Sequence, residues 1–275
     1  MVFSVYAAIV LIWSWAVLRD RPLHQYATMY WIAGAVGSLG ECLILGAIYP
    51  FESHMYIRPD LYQDVHFTEV FSKLLLFPLI ACLYMRYAGR RPYLTAAVGA
   101  GLLGLTEAVF VRTGAMVYIR WHPAFTVTFF FVFFLIILWV MSRPMPLWVD
   151  VGSAAFLIAY LSHQLLGGAF GLWRYRLPPL SMPATDVLFL VIMAFAYGPT
   201  AMAFALVPKL HSPAGVVGTL LFILLADAAL LRGGILTYTG WSLWHTGVRY
   251  LFTAGLTLAY ARWQMENRAG PVLLR

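Results

Sequence analysis

TEAVFVRTGAMVYIRW, Thr106 to Trp121, and ADAALLRGGILTYTGW, Ala226 to Trp241, decide how this chain is read. At an offset of 120 positions, Ala108, Arg112, Gly114, Tyr118 and Trp121 recur as Ala228, Arg232, Gly234, Tyr238 and Trp241. Glu107 is matched by a second acid, Asp227. Such self-similarity at a fixed spacing has to be read before any fold assignment. Two shorter matches have similar offsets. LGECLILGA (Leu39 to Ala47) aligns with LSHQLLGGA (Leu161 to Ala169), setting Glu41 against His163. TEV (Thr68 to Val70) aligns with TDV (Thr185 to Val187), setting Glu69 against Asp186. Coincidence among apolar helices is the alternative, and the agreement of the three offsets favours duplication.

The composition fixes the solvent. Of 275 residues, 62% are hydrophobic and only 11% charged, and the mean hydropathy is +0.81. A soluble domain of this size needs far more surface charge. The charges fall between apolar runs of about 20 residues, enough to cross the ~30 Å hydrocarbon layer as helices. Helices are the form in which such runs satisfy their own backbone in lipid. Nine spans fit, near residues 2–18, 26–49, 67–87, 93–115, 123–142, 149–172, 184–206, 213–235 and 243–263. The first lacks the basic start and cleavage site of a removable signal.

The expected fold is therefore all-α, a polytopic transmembrane helical bundle of about nine spans. It comprises a first helix (1–22), one four-helix repeat (23–143), a second (144–265) and a cytoplasmic tail (266–275). Four spans per unit makes the duplication parallel, with a pseudo-twofold axis along the membrane normal. Arg19, Arg21, Arg86, Arg90, Arg91, Arg143, Lys209, Arg262, Arg268 and Arg275 fall on the C-terminal side, against Arg58, Arg120, Arg174 and Arg176 opposite. That bias puts the N-terminus outside and the C-terminus in the cytoplasm of a multi-pass cell-membrane protein.

Acids inside spans carry the functional reading, since each costs about 2.5–3.5 kcal/mol on insertion scales and normally faces protein or water. Glu107 and Asp227, with Tyr118 and Tyr238 eleven residues on, are the candidate catalytic groups. Glu41, Glu69, His163, Asp186, Arg112, Arg232 and Arg249 are candidate substrate-binding groups. All map to the outer half of the bilayer, which predicts a charged, outward-opening cavity between the repeats. If each helix continues, Glu107, Gly114 and Tyr118 share one stripe, as do Asp227, Gly234 and Tyr238. Glu69 and Lys73 are spaced to pair along one face. As a bland alternative, these charges only hold the bundle together, and His163 is a core histidine.

Cys42 and Cys82 sit in apolar runs and read as small buried hydrophobes. No HExxH or Cys/His cluster marks a metal site, and no cofactor is specified. The net charge of +7 is spread over short loops, so nucleic acid is not an expected partner. Membrane lipids and an apolar small molecule are. Tryptophans such as Trp121, Trp139, Trp148, Trp173, Trp241 and Trp244 read as an interfacial belt. The Phe129 to Phe134 run reads as lipid-facing or helix-packing.

An acid, a glycine at +7 and a tyrosine at +11 resemble the Asp-Asn-x5-6-Gly-x3-Tyr helix of membrane-embedded lycopene-type carotenoid cyclase domains. Asp227, Gly234 and Tyr238 match, as do Glu107, Gly114 and Tyr118; Ala108 and Ala228 replace the asparagine. The resemblance implies an acid-catalysed enzyme for an isoprenoid or lipid, with Glu107 and Asp227 lining its groove. The fourth and eighth spans are also similar to small uncharacterised membrane proteins of spore-forming bacteria, which implies no mechanism. A small-solute or proton-coupled transporter is the alternative, and a non-catalytic binding or assembly protein the third.

Overall fold

Proline opens three of the α-helices. Pro92, Pro123 and Pro213 each occupy a first helical position, where the missing N–H would have had no partner and φ is already suitable. Caps complete two of these starts. Ala124 N–H donates to His122 Nδ1 at 3.2 Å, and Gly215 N–H to Ser212 Oγ at 3.2 Å. The computed structural model describes residues 8, 11–15, 22–47, 53–55, 70, 72–114, 116–118, 122–176 and 182–268. The side chains of 41–47, 53–55, 72, 117–118 and 182–193 lie outside the described set.

Among the described residues the protein is all-α apart from two short ladders. The first group of elements is α1 (Leu23–Ala47), β1 (Ser53–Met55), a π-helical turn (Ser72–Leu76) leading into α2 (Phe77–Ala88), α3 (Pro92–Arg112), β2 (Met116–Tyr118) and α4 (Pro123–Met141). The second is α5 (Leu147–His163), extended by a π-helical segment (Gln164–Ala169), then β3 (Trp173–Tyr175), α6 (Met182–Leu206), a 3-10 turn (Pro208–His211), α7 (Pro213–Arg232), β4 (Leu236–Tyr238) and α8 (Leu243–Asn267). The groups are separate compact units, one within Met1–Met145 and one within Pro146–Ala269.

Among the described residues, four stretches are long and apolar enough to cross a bilayer: Pro92–Arg112, Pro123–Met141, Leu147–Ala169 and Pro213–Arg232. The fold is thus a helical bundle with several long apolar helices. In α7 only Ile223 and Asp227 are buried, while Val217, Leu221, Phe222 and Leu225 stand exposed. An apolar face left this bare suits lipid.

The helices bearing the two acids stop earlier than a continuous stripe requires. Thr113 and Gly233 N–H groups bond Val109 and Ala229 carbonyls, both at 2.9 Å. Gly114 and Gly234 then take φ of +72° and +68°, the left-handed conformation that ends helices and that glycine adopts without strain. These glycines are turn residues and do not line a wall. Beyond them the chain enters β2 and β4, so Tyr118 and Tyr238 sit on strands. β1 pairs antiparallel with β2, placing Ser53 opposite Tyr118, and β3 pairs with β4, placing Trp173 opposite Tyr238. The second register is the first moved on by 120 positions. Ladders formed between segments so far apart in sequence leave little local signal.

In the first unit, α1 packs on α2 and α3 on α4. Phe133, Phe134 and Ile137 of α4 are buried, with Phe134 stacked on Tyr84 at 4.6 Å. In this part the phenylalanine run faces the core. In the second unit, α5 packs on α6, and α8 on α5, α6 and α7. Its core gathers Trp173, Tyr175, Tyr197, Ile223, Leu236 and Tyr250.

Candidate functional site

The second unit brings Asp227, Tyr238, His163 and Arg249 into one buried cluster. Asp227, in the last two turns of α7, is 3% exposed. Its Oδ2 accepts two hydrogen bonds, from Tyr238 OH and Thr246 Oγ1, both at 3.0 Å. Thr246 is the hub. Its hydroxyl also contacts Tyr238 OH at 3.0 Å and accepts from Trp241 Nε1 at 3.0 Å. The turn at Gly234 reverses the chain so that Tyr238, on β4, reaches back to the acid eleven residues before it. Replacing Thr246 with Val keeps the shape and leaves Asp227 Oδ2 and Trp241 Nε1 each short of a bond. We expect about 1–3 kcal/mol of destabilisation, read as a lower unfolding temperature in detergent, and Thr246→Ser is expected to restore most of it.

Arg249, on α8, is 7% exposed. Its guanidinium lies 4.2 Å from the Tyr197 ring centre and 4.8 Å from that of Trp173. Such desolvated cation–π contacts are worth up to about 2 kcal/mol. One edge nitrogen meets His163 Nδ1 at 3.3 Å, while Trp173 Nε1 donates to His163 Nε2 at 3.3 Å. His163 also stacks on Tyr175 at 5.5 Å. The π-helical segment shapes this wall: a Cβ on Gly167 would meet Trp173 Nε1 at 2.5 Å, so a side chain there would push the indole out.

Within this cluster, the buried atoms Asp227 Oδ1, Arg249 Nε and Tyr197 OH have no hydrogen-bond partner. Tyr197 stands close to Asp227, Arg249 and Thr246 without reaching hydrogen-bond geometry. Asp227 and Arg249 line a narrow recess walled by Trp173, Tyr175, Tyr238 and Trp241. It is too narrow as it stands to seat a water molecule. On the strands, burial holds the Tyr238 and Tyr175 hydroxyls well above the usual tyrosine range, and the charge of Asp227 adds to the effect. Both phenols therefore remain protonated donors at neutral pH.

The chain matches no protein-family model, no curated protein and no solved structure.

The other sequence candidates are placed differently. Glu107, on α3, is half-buried and accepts from Thr126 Oγ1 at 2.6 Å. This bond and the Asp227–Thr246 bond span the same 19 residues at equivalent positions of the two stretches. Arg112 and Arg232 end their helices exposed to the surroundings, outside the Asp227 cluster. Glu69 lies outside the described residues, as do the side chains of Glu41, Asp186 and Tyr118. Lys73 is 1% exposed in the first unit. Among the described residues no three His, Cys, Asp or Glu side chains come together as a metal-holding group.

Sequence reasoning passed over Thr246, Trp173, Tyr175 and Tyr197. The signal for Thr246 was present: carried five residues past Trp121 and Trp241, the internal alignment pairs Thr126 with Thr246. Trp173 was expected in the interfacial belt, yet it is 4% exposed and packs against Trp241 at 4.9 Å. Its position depends on the strand pairing and on Gly167, neither of which periodicity reveals.

Proposed function

We propose that this is an integral membrane protein of nine spans, built on a duplicated four-helix unit, with its N-terminus outside and its C-terminus in the cytoplasm. Its second unit binds the polar end of a small amphiphile at the Asp227–Arg249 recess. One observation carries the reading: a buried acid and a buried base, each with an unpartnered atom, line the same aromatic-walled recess. Leaving such atoms unpaired costs about 1–3 kcal/mol each, more when charged, and a polar ligand would recover that cost. The recess is too small for a whole lipid, so the apolar remainder would lie along the bare helices. Entry requires the half-buried Tyr238 and Trp241 to swing aside.

Acid-catalysed turnover of an isoprenoid, which the cyclase resemblance implies, is a narrower form of this reading. The Tyr238–Asp227 hydrogen bond supports it by linking a donor to the acid.

The test is to purify the protein in a mild detergent, extract bound amphiphiles and quantify them by mass spectrometry beside the near-isosteric Asp227→Asn. The wild type should carry an amphiphile at about one per chain, depleted roughly tenfold in the variant at matched thermal stability. A wild type carrying none, or equal occupancy in the variant, would overturn the proposal.

A further inference from the structure

We infer that the ligand of the Asp227–Arg249 recess is a zwitterion, its ammonium set against Asp227 Oδ1 and its oxyanion against the edge of the Arg249 guanidinium. The inference rests on the reading above and adds the charge pattern of the group bound.

Asp227 Oδ2 already accepts from two hydroxyls, and Oδ1 accepts from none. The open atom is an anionic acceptor, and its natural complement is a cationic donor. The neighbouring indole faces of Trp241 and Trp173 favour the same choice, because aromatic faces attract ammonium groups.

Arg249 presents the opposite need. Its guanidinium carbon lies over the Tyr197 and Trp173 rings, which leaves its N–H groups in want of acceptors. Of these, Nε has no acceptor. The nitrogen facing His163 Nδ1 has a contested one, because Trp173 Nε1 donates to the other ring nitrogen. A neutral imidazole has a single acceptor nitrogen, so the two donors cannot both be satisfied by it. A guanidinium edge short of acceptors is suited to a two-oxygen anion such as phosphate or carboxylate.

Charge balance points the same way. The site holds one acid and one arginine, so an anionic or a cationic ligand alone would leave a net buried charge, which is costly. A zwitterion leaves none. The first unit serves as an internal comparison. It keeps the acid–threonine bond of Glu107 and Thr126, yet Phe129 holds the position equivalent to Arg249, its ring centre 6.3 Å from that of Phe77. The oxyanion half of the site belongs to the second unit.

The ammonium and oxyanion can be supplied by a phosphoethanolamine lipid headgroup or by a free zwitterion. Purified full-length protein would be equilibrated with nanodiscs containing phosphatidylethanolamine, phosphatidylglycerol or a trimethylammonium lipid, and retained lipid counted by native mass spectrometry. Phosphatidylethanolamine should be retained about tenfold over both others. If added soluble phosphoethanolamine displaces it, the headgroup alone is the ligand; if not, the zwitterion must arrive on a lipid, and both results support the inference. Asp227→Asn should cut phosphatidylethanolamine retention about tenfold, and Arg249→Lys should do the same while keeping the charge. Equal retention of all three lipids by the wild type would overturn the zwitterion and leave amphiphile binding standing. No retention of any lipid would overturn both.

Discussion

Replacing Arg249 with Leu should be among the most damaging single changes in the second unit, costing about 3–5 kcal/mol, the range for removing one partner of a buried charge set. For a protein of this size that is an unfolding temperature lowered by roughly 5–15 °C in detergent. The side chain has three structural roles at once. Its charge offsets that of Asp227, its guanidinium carbon lies over the Tyr197 and Trp173 rings, and its edge contacts His163. Leucine fills much of the volume and none of these roles, so the loss cannot be ascribed to a cavity. Adding Asp227→Asn to Arg249→Leu should recover part of the loss, because the unbalanced charge disappears with the acid. Strongly non-additive behaviour in that double-mutant cycle is the expected signature of coupled neighbours. An Arg249→Leu protein that unfolds with the wild type would show that the guanidinium is solvated and the cluster open.

The sequence made the solvent and the acids easy to see and hid the walls around them. Four helices long and apolar enough for a membrane are plain from composition, because lipid demands one property of every residue facing it. Asp227 and Arg249 stood out for the same reason: a charge in an apolar run has few places to go. Their meeting with His163 and Tyr238 follows from chain reversals that hydropathy does not encode. Gly234 is legible as a glycine, and its spacing suggests one helix stripe with Asp227 and Tyr238, whereas its positive φ ends the helix and turns Tyr238 back towards Asp227. Trp173 shows a second limit. Indoles near predicted span ends usually mark an interface, but this one is drawn inward by pairing opposite Tyr238 and by the space at Gly167. Both causes are tertiary.

The second large effect is expected at the other end of the same helix pair, where Asp150→Ala should also cost about 3–5 kcal/mol. Asp150 lies in the first turn of α5 and is fully buried, a position where the helix dipole favours a negative charge. Its Oδ1 accepts from Tyr260 OH at 2.7 Å, and Arg268 approaches its Oδ2 at 3.7 Å. Gln264 Nε2 donates to the same Tyr260 hydroxyl at 2.6 Å. Tyr260 and Gln264 lie in the last two turns of α8, and Arg268 directly follows it. The start of α5 is thus tied to the end of α8, while His163 at the end of α5 meets Arg249 near the start of α8. An antiparallel helix pair held by polar contacts at both ends has little freedom to slide, and this fixes where the guanidinium sits relative to Asp227 on α7. Asp150→Asn retains an acceptor for Tyr260 and should lose less than Asp150→Ala. Thermal unfolding of both variants separates the hydrogen bond from the charge. If Asp150→Ala unfolds like the wild type, α5 and α8 are held by their apolar faces alone, and the position of Arg249 must be explained by Trp173 and Tyr197 instead.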